Sequence, residues 1–117
     1  MKSWASVAVP QLENSANFPP LALSDTASGT KRVLPKKNLY RMYVCGITPY
    51  DATHMGHAAT YVAFDTLHRF WRATGTKVQY TQNITDIDDP LLERAKLTGK
   101  PWQEIATEQT DLFKSDM

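Results

Sequence analysis

The sequence predicts an α/β fold built on two parallel strands joined by one helix. Three observations predict it. Residues 39–45 (Leu-Tyr-Arg-Met-Tyr-Val-Cys) are rich in aromatic and β-branched types, as a strand requires. From about His54 to Thr74, Ala59, Val62, Ala63, Leu67, Phe70 and Trp71 recur at three- and four-residue steps, the spacing of one helix face. Residues 77–83 (Lys-Val-Gln-Tyr-Thr-Gln-Asn) then read as a second strand. Strand, helix and strand at this spacing make a βαβ unit with parallel strands and a right-handed crossover.

Residues 1–38 read as an irregular amino-terminal segment, because Pro10, Pro19, Pro20 and Pro35 each fix φ and remove a donor. Within it, residues 21–24 and 31–34 flank the turn-rich run 24–30 and are expected to pair as a short hairpin. The orderly part is residues 39–117. Asp51 or Thr53 is expected to cap the long helix, and Gly75 to end it in the left-handed conformation. A further helix is predicted with Asp89 as cap, Pro90 at its first position and Gly99 as its stop. A last amphipathic helix covers 101–114, with Trp102, Ile105, Ala106, Gln109, Leu112 and Phe113 on one face.

The chain carries 13 basic and 12 acidic residues, so charge selects no partner. A dedicated nucleic-acid module carries a basic excess. The basic cluster Lys31, Arg32, Lys36, Lys37 and Arg41 reads as a solvated segment. With Cys45 as its one cysteine the chain forms no internal disulfide, which fits a reducing, cytoplasmic setting. Residues 1–10 make a poor signal peptide, and no apolar run approaches a membrane span.

In parallel sheets, ligands bind beyond the carboxyl ends of the strands. Cys45–Gly46–Ile47–Thr48 and Asn83–Ile84–Thr85–Asp86 lie at those two ends, so they are expected to share one crevice. His54 and His57 stand three apart at the mouth of the long helix. A helix amino terminus favours anions, and two imidazoles there can donate to a polyphosphate as charge builds. Gly56 between them lets a flat base approach the backbone. Metal ligation is the other reading of this pair, but zinc wants four ligands. Cys45 would be a third at best, and His68 lies about three turns further along. By itself Cys45 fits either a ligand or a small buried hydrophobe. Asp86, Asp88 and Asp89 are candidates for magnesium or for helix capping.

Taken together, Tyr43-Val44-Cys45-Gly46, His54-Met55-Gly56-His57, the continuation through Asp65, and Asn83-Ile84-Thr85-Asp86-Ile87-Asp88-Asp89 resemble the cysteinyl-tRNA synthetase superfamily. His-Met-Gly-His is similar to that class's His-Ile-Gly-His signature. The resemblance covers about residues 40–97 and implies a partial Rossmann-like nucleotidyl-transfer domain. Where the synthetases usually read Gly-Pro-Thr-Val-Tyr-Asp, this chain has Gly46-Ile47-Thr48-Pro49-Tyr50-Asp51, and where they read Asp-Asp-Lys it has Asp88-Asp89-Pro90. Ala58-Ala59-Thr60-Tyr61 replaces Ala-Arg-Thr-Phe. These spellings, with the opening Ser3-Trp4 and the Pro10 lead-in, resemble the branch of cysteine ligases that serves mycothiol biosynthesis.

That resemblance implies an ATP-dependent, AMP-forming ligase that makes cysteinyl-adenylate and transfers cysteine to the amine of glucosaminyl-inositol. It implies Cys45 as a zinc ligand and His54, His57 and Thr48 as catalytic residues. Gly46, Ile47, Thr48, Thr60, Asn83, Ile84 and Thr85, with Cys45, would meet the cysteinyl-adenylate, and His54, Gly56 and His57 the nucleotide. Implied cofactors are one zinc per full-length chain and ATP with magnesium; the implied state is a cytoplasmic monomer with no membrane partner. The remaining zinc ligands and a Lys-Met-Ser-Lys-Ser-type loop come later in that family, so an amino-terminal fragment is expected. A cysteinyl-tRNA synthetase fragment, with tRNA as partner, is the alternative; a non-catalytic nucleotide-binding module is a third.

Overall fold

The computed structural model describes residues 4–14 and 18–117; Ser3 of the opening Ser3-Trp4 pair lies outside the described residues. Seven elements follow in order: β1 (Ala22–Asp25), β2 (Thr30–Val33), β3 (Leu39–Ile47), α1 (Met55–Ala73), β4 (Lys77–Ile84), α2 (Asp89–Thr98) and α3 (Trp102–Asp116). β3 and β4 pair as a two-stranded parallel sheet, so the α/β class is borne out. Internal contacts divide the chain into two units, Met1–Met42 with Thr66–Gln79, and Tyr43–Asp65 with Tyr80–Met117.

In the first unit, β1 and β2 form an antiparallel hairpin in the register Ala22↔Val33 to Asp25↔Thr30. The Leu34 N–H donates to the Leu21 carbonyl at 2.8 Å and extends the pairing to the ends expected from sequence. Asp25 accepts from the Ala27 N–H and the Ser28 hydroxyl, and Gly29 at φ 65° returns the chain. Within the basic cluster, Arg32 pairs with Asp25 at 3.3 Å, and the Lys37 ammonium sits 5.9 Å from the Tyr40 ring centroid. Tyr40 of β3 stacks on Trp71 of α1 with centroids 4.2 Å apart and planes within 10°.

The helix end lies in the same unit and follows the sequence. Gly75 at φ 85° donates to the Arg72 carbonyl, and the Thr76 N–H donates to the Trp71 carbonyl at 2.8 Å. Together these make a Schellman stop. The helix end also takes donors from the amino-terminal segment: the Leu12 N–H donates to the Ala73 carbonyl, and the Gln11 amide adds a second bond to that of Arg72. Residues without regular structure thus do specific work, because buried or half-buried carbonyls need donors.

The second unit holds the two strand ends, the start of α1, and α2 and α3. Its core is Val44, Ile47, Tyr61, Leu91, Ile105 and Phe113, with Tyr61 and Phe113 rings 5.0 Å apart. α2 and α3 pack on each other.

Three expectations need correction. β3 runs to Ile47 and β4 to Ile84, past the predicted ends at Cys45 and Asn83, so Gly46 and Ile47 belong to a strand. The predicted face of α1 holds only in its second half: Trp71 is buried and Leu67 and Phe70 are half-buried, but Ala59, Val62 and Ala63 are exposed and Tyr61, outside that face, is buried. Aromatic area outweighs alanine methyls in choosing which side turns inward. The cap of α2 is Asp88, one residue before the expected Asp89. The Asp88 carbonyl takes the first helical bonds from Leu91 and Leu92, and its side chain accepts from the Asp89 N–H at 2.9 Å. Gly99 at φ 69° ends α2 as expected.

The cap assignment is testable by urea denaturation. Asp88→Ala is expected to lose about 1 kcal/mol of stability, the usual worth of an N-cap. Asp89→Ala should lose less; the reverse order would return the cap to Asp89.

Candidate functional site

All the candidate site residues fall in the second unit, around the carboxyl ends of β3 and β4 and the start of α1. The strand ends do meet. The Gly46 N–H donates to the Asn83 side-chain oxygen at 2.8 Å, and the Thr85 N–H to the Ile47 carbonyl at 2.8 Å. A Cβ on Gly46 would land on the Asn83 backbone carbonyl, so only glycine fits this approach. Cys45 is exposed, which removes the buried-hydrophobe reading. Its carbonyl accepts from the Tyr61 hydroxyl at 3.4 Å. Thr48, the first residue beyond β3, donates its hydroxyl to Asp88 at 3.3 Å.

The start of α1 is capped by neither Asp51 nor Thr53. Asp51 accepts from its neighbour Ala52, and Thr53 donates to Asp116 at 3.3 Å. The His54 carbonyl instead takes the first helical bonds, from His57 and Ala58. His54 Nδ1 accepts from the Gly56 N–H at 3.1 Å, and His57 Nδ1 accepts from the His54 N–H at 3.2 Å. This is a reciprocal capping box in which two imidazoles replace the usual hydroxyl and carboxylate. Asp51 is free of the helix because it pairs with Arg94 at 3.6 Å.

The box fixes chemistry as well as geometry. An Nδ1 that accepts from an N–H carries no proton, so each ring is the neutral Nε2–H tautomer. The two rings lie 4.0 Å apart at a tilt of 37°. Burial and, next, the neighbouring His54 hold the His57 pKa below the ordinary histidine value. Gly56 has a role the sequence did not suggest: a Cβ there would come within 2.9 Å of the His54 ring. Its missing side chain makes room for the cap.

The predicted residues therefore form two clusters, His54–Gly56–His57 and Gly46–Ile47–Asn83–Thr85, with Tyr61 tying α1 to Cys45. Thr60 points its hydroxyl back to the Gly56 carbonyl at 3.3 Å, and Ile84 is exposed. Sequence reasoning missed two supports, Tyr43, whose hydroxyl donates to Asn83 at 3.0 Å, and Tyr61; Asp88, singled out for capping or magnesium, also holds Thr48. Tyr61 had a signal, since it lies four residues beyond His57 on one helix face. Tyr43 had one too, since alternation places it on the same side of β3 as Cys45. Among the described residues no group of three or more His, Cys, Asp or Glu is placed to hold a metal. A zinc site needs four ligands, and Cys45 alone would not supply them. Nor is any helix among the described residues long and apolar enough to cross a membrane.

The chain is 60% identical over 117 residues to an L-cysteine:1D-myo-inositol 2-amino-2-deoxy-alpha-D-glucopyranoside ligase of Paenarthrobacter aurescens, covering all of this chain and 27% of that protein. Proteins of the same name from Kocuria rhizophila and Micrococcus luteus are 57% and 58% identical, again over the whole of this chain, and are covered to 26% and 28%. The chain thus spans about a quarter of the length of the curated relatives it matches. The model of the class I (C) tRNA synthetase catalytic domain matches residues 32–117, which include both strand ends and the histidine-capped helix, and the chain belongs to that family.

Proposed function

We propose that the chain forms the first part of an ATP-dependent ligase that activates cysteine and joins it to the amine of a glucosaminyl-inositol, a step of mycothiol biosynthesis in the cytoplasm. The observation that carries this reading is identity of 53–60% along the whole chain to ligases named for those two substrates. The geometry supports it: an exposed thiol at a strand end and neutral imidazole donors at a helix start lie in one unit.

In the proposed reaction the cysteine carboxylate attacks the α-phosphorus of ATP, forming the acyl–phosphate bond and releasing pyrophosphate. The sugar amine then attacks the acyl carbon, loses a proton and releases AMP. His54 and His57 donate from Nε2 to the phosphates as negative charge develops, with the α1 amino terminus behind them. Magnesium accompanies the triphosphate. Gly46, Ile47, Thr48 and Thr85 line the adenylate at the strand ends, with Thr60, Ile84 and Asn83 beside them, and Gly56 faces the nucleotide. Cys45 would serve as one zinc ligand, and the zinc would recognise the substrate thiolate, for which its softness suits it.

Purified full-length enzyme, given ATP and cysteine with either the sugar amine or tRNA, tests the acceptor. Amide formation with the sugar is expected; efficient tRNA charging without sugar turnover would overturn the assignment. Metal analysis after dialysis tests Cys45, since Cys45→Ser should lower retained zinc and unchanged zinc would remove Cys45 from the site.

The histidine box predicts a pH dependence. Because the folded chain holds His57 below its ordinary pKa, the unfolded chain takes up the proton more readily. The stability held by neutral His57 is complete above the ordinary value and is lost as pH falls through the folded pKa. An NMR titration should therefore place His57 on the acid side of free histidine, with loss of the Nδ1 acceptor on protonation. A midpoint above free histidine would contradict the box. His57→Asn, which keeps an acceptor near the Nδ1 position but no Nε2 donor, should preserve helix stability and slow ATP–pyrophosphate exchange about tenfold or more.

A further inference from the structure

The peptide that follows Cys45 is held at both ends by side chains. Its carbonyl, on Cys45, accepts from the Tyr61 hydroxyl of α1 at 3.4 Å. Its N–H, on Gly46, donates to the Asn83 side-chain oxygen of β4 at 2.8 Å. The Asn83 backbone carbonyl also presses on the face of Gly46 where a Cβ would stand. Asn83 thus grips Gly46 with two of its atoms, and the plane of the Cys45–Gly46 peptide is set from outside the strand.

The same Asn83 oxygen accepts a second bond, from the Tyr43 hydroxyl at 3.0 Å. Both partners are donors, so the amide oxygen, not the nitrogen, must face them. Two donors from one strand, Gly46 N–H and Tyr43 O–H, therefore fix the rotation of the Asn83 side chain. Tyr43 is 67% exposed and has no packing duty in the core. An exposed tyrosine whose hydroxyl reaches across to a strand-end amide calls for another role.

We propose that Asn83 and Tyr43 are positioning residues for Cys45: the tyrosine hydroxyl orients the Asn83 amide, the amide oxygen fixes the Cys45–Gly46 peptide, and that peptide sets the direction of the thiol. This goes beyond an Asn83 that merely touches the adenylate, and it rests on the proposed role of Cys45 in recognising cysteine. It assigns a function to Tyr43. It also predicts which substrate senses the pair. The thiol side of the site meets cysteine, whereas ATP meets the start of α1. Loosening the peptide should weaken cysteine and leave ATP alone.

Steady-state ATP–pyrophosphate exchange in the full-length enzyme separates the two. Tyr43→Phe removes one hydrogen bond at an exposed position, so the fold is retained, and KM for cysteine should rise about fivefold with KM for ATP unchanged. Asn83→Leu should raise KM for cysteine further, about tenfold or more, whereas Asn83→Asp, which keeps the acceptor, should recover most of the loss. In the double variant, Tyr43→Phe should add nothing to Asn83→Leu, because the hydroxyl acts only through the amide. An unchanged KM for cysteine in Tyr43→Phe, or equal rises for cysteine and ATP, would overturn the proposal. Should Asn83→Leu fail to fold, Tyr43→Phe decides alone. Wild-type exchange is the control that separates the two readings. Without cysteine-dependent exchange in the wild type, the proposed function itself falls; with it and unaltered variants, only the positioning role falls.

Discussion

The close approach of Gly46 to Asn83 is the constraint on which the strand-end region depends. With no side chain at 46, the Asn83 backbone carbonyl can occupy the space a Cβ would fill. The strands then stay paired one step further, so that the Thr85 N–H reaches the Ile47 carbonyl. Val44 and Ile47 are buried while Cys45 between them stays exposed. Thr48 follows directly and reaches Asp88, which also starts α2. A contact between two backbones therefore sets the exposure of the one cysteine, the end of β3 and the place where the next helix begins.

The start of α1 solves a different problem with side chains that have two ends. A serine or aspartate cap spends its only polar group on the helix. An imidazole has two nitrogens, and here Nδ1 serves the helix while Nε2–H remains for something else. The arrangement uses Nδ1 of each ring as an acceptor, and the partial burial that lowers the His57 pKa favours this for His57. Capping and anion binding usually compete for the same free N–H groups. Moving the outward donor from backbone to imidazole relaxes that competition.

Much of the fold was legible because glycine and proline punctuate it. Gly75 and Gly99 have positive φ and end helices where expected, and the hairpin lies where its turn-rich run placed it. The parallel pair followed from element order. What escaped sequence reasoning involves choices between neighbours. Asp88 and Asp89 are equally good caps on paper, and the backbone decides. His54 is a poor cap by statistics and Asp51 and Thr53 are better ones, but those two side chains are taken by Arg94 and Asp116. The packed positions of α1 were misread because period alone ranks alanine with tyrosine, whereas area and the Tyr61 hydroxyl separate them. In the site itself, the motif residues were legible; their supports Tyr43 and Tyr61 were not, nor was the bond from Thr48 to Asp88. A support is defined by a contact, and contacts across 16 to 40 residues leave no local pattern.

Tyr61 shows why those supports matter. It stands one helical turn beyond His57, packs its ring on Phe113, and sends its hydroxyl to the Cys45 carbonyl. One rigid helix thus carries the imidazole donors at its mouth and, a turn later, the group that steadies the thiol-bearing strand. Under the proposed reading, the carboxylate of cysteine must meet the α-phosphorus of ATP at near-contact distance, and misplacement by about 1 Å costs about a hundredfold in rate. Two ligand sites on independent loops would drift against each other by more than that. Tying the end of β3 to the first turns of α1 through a buried tyrosine removes that freedom.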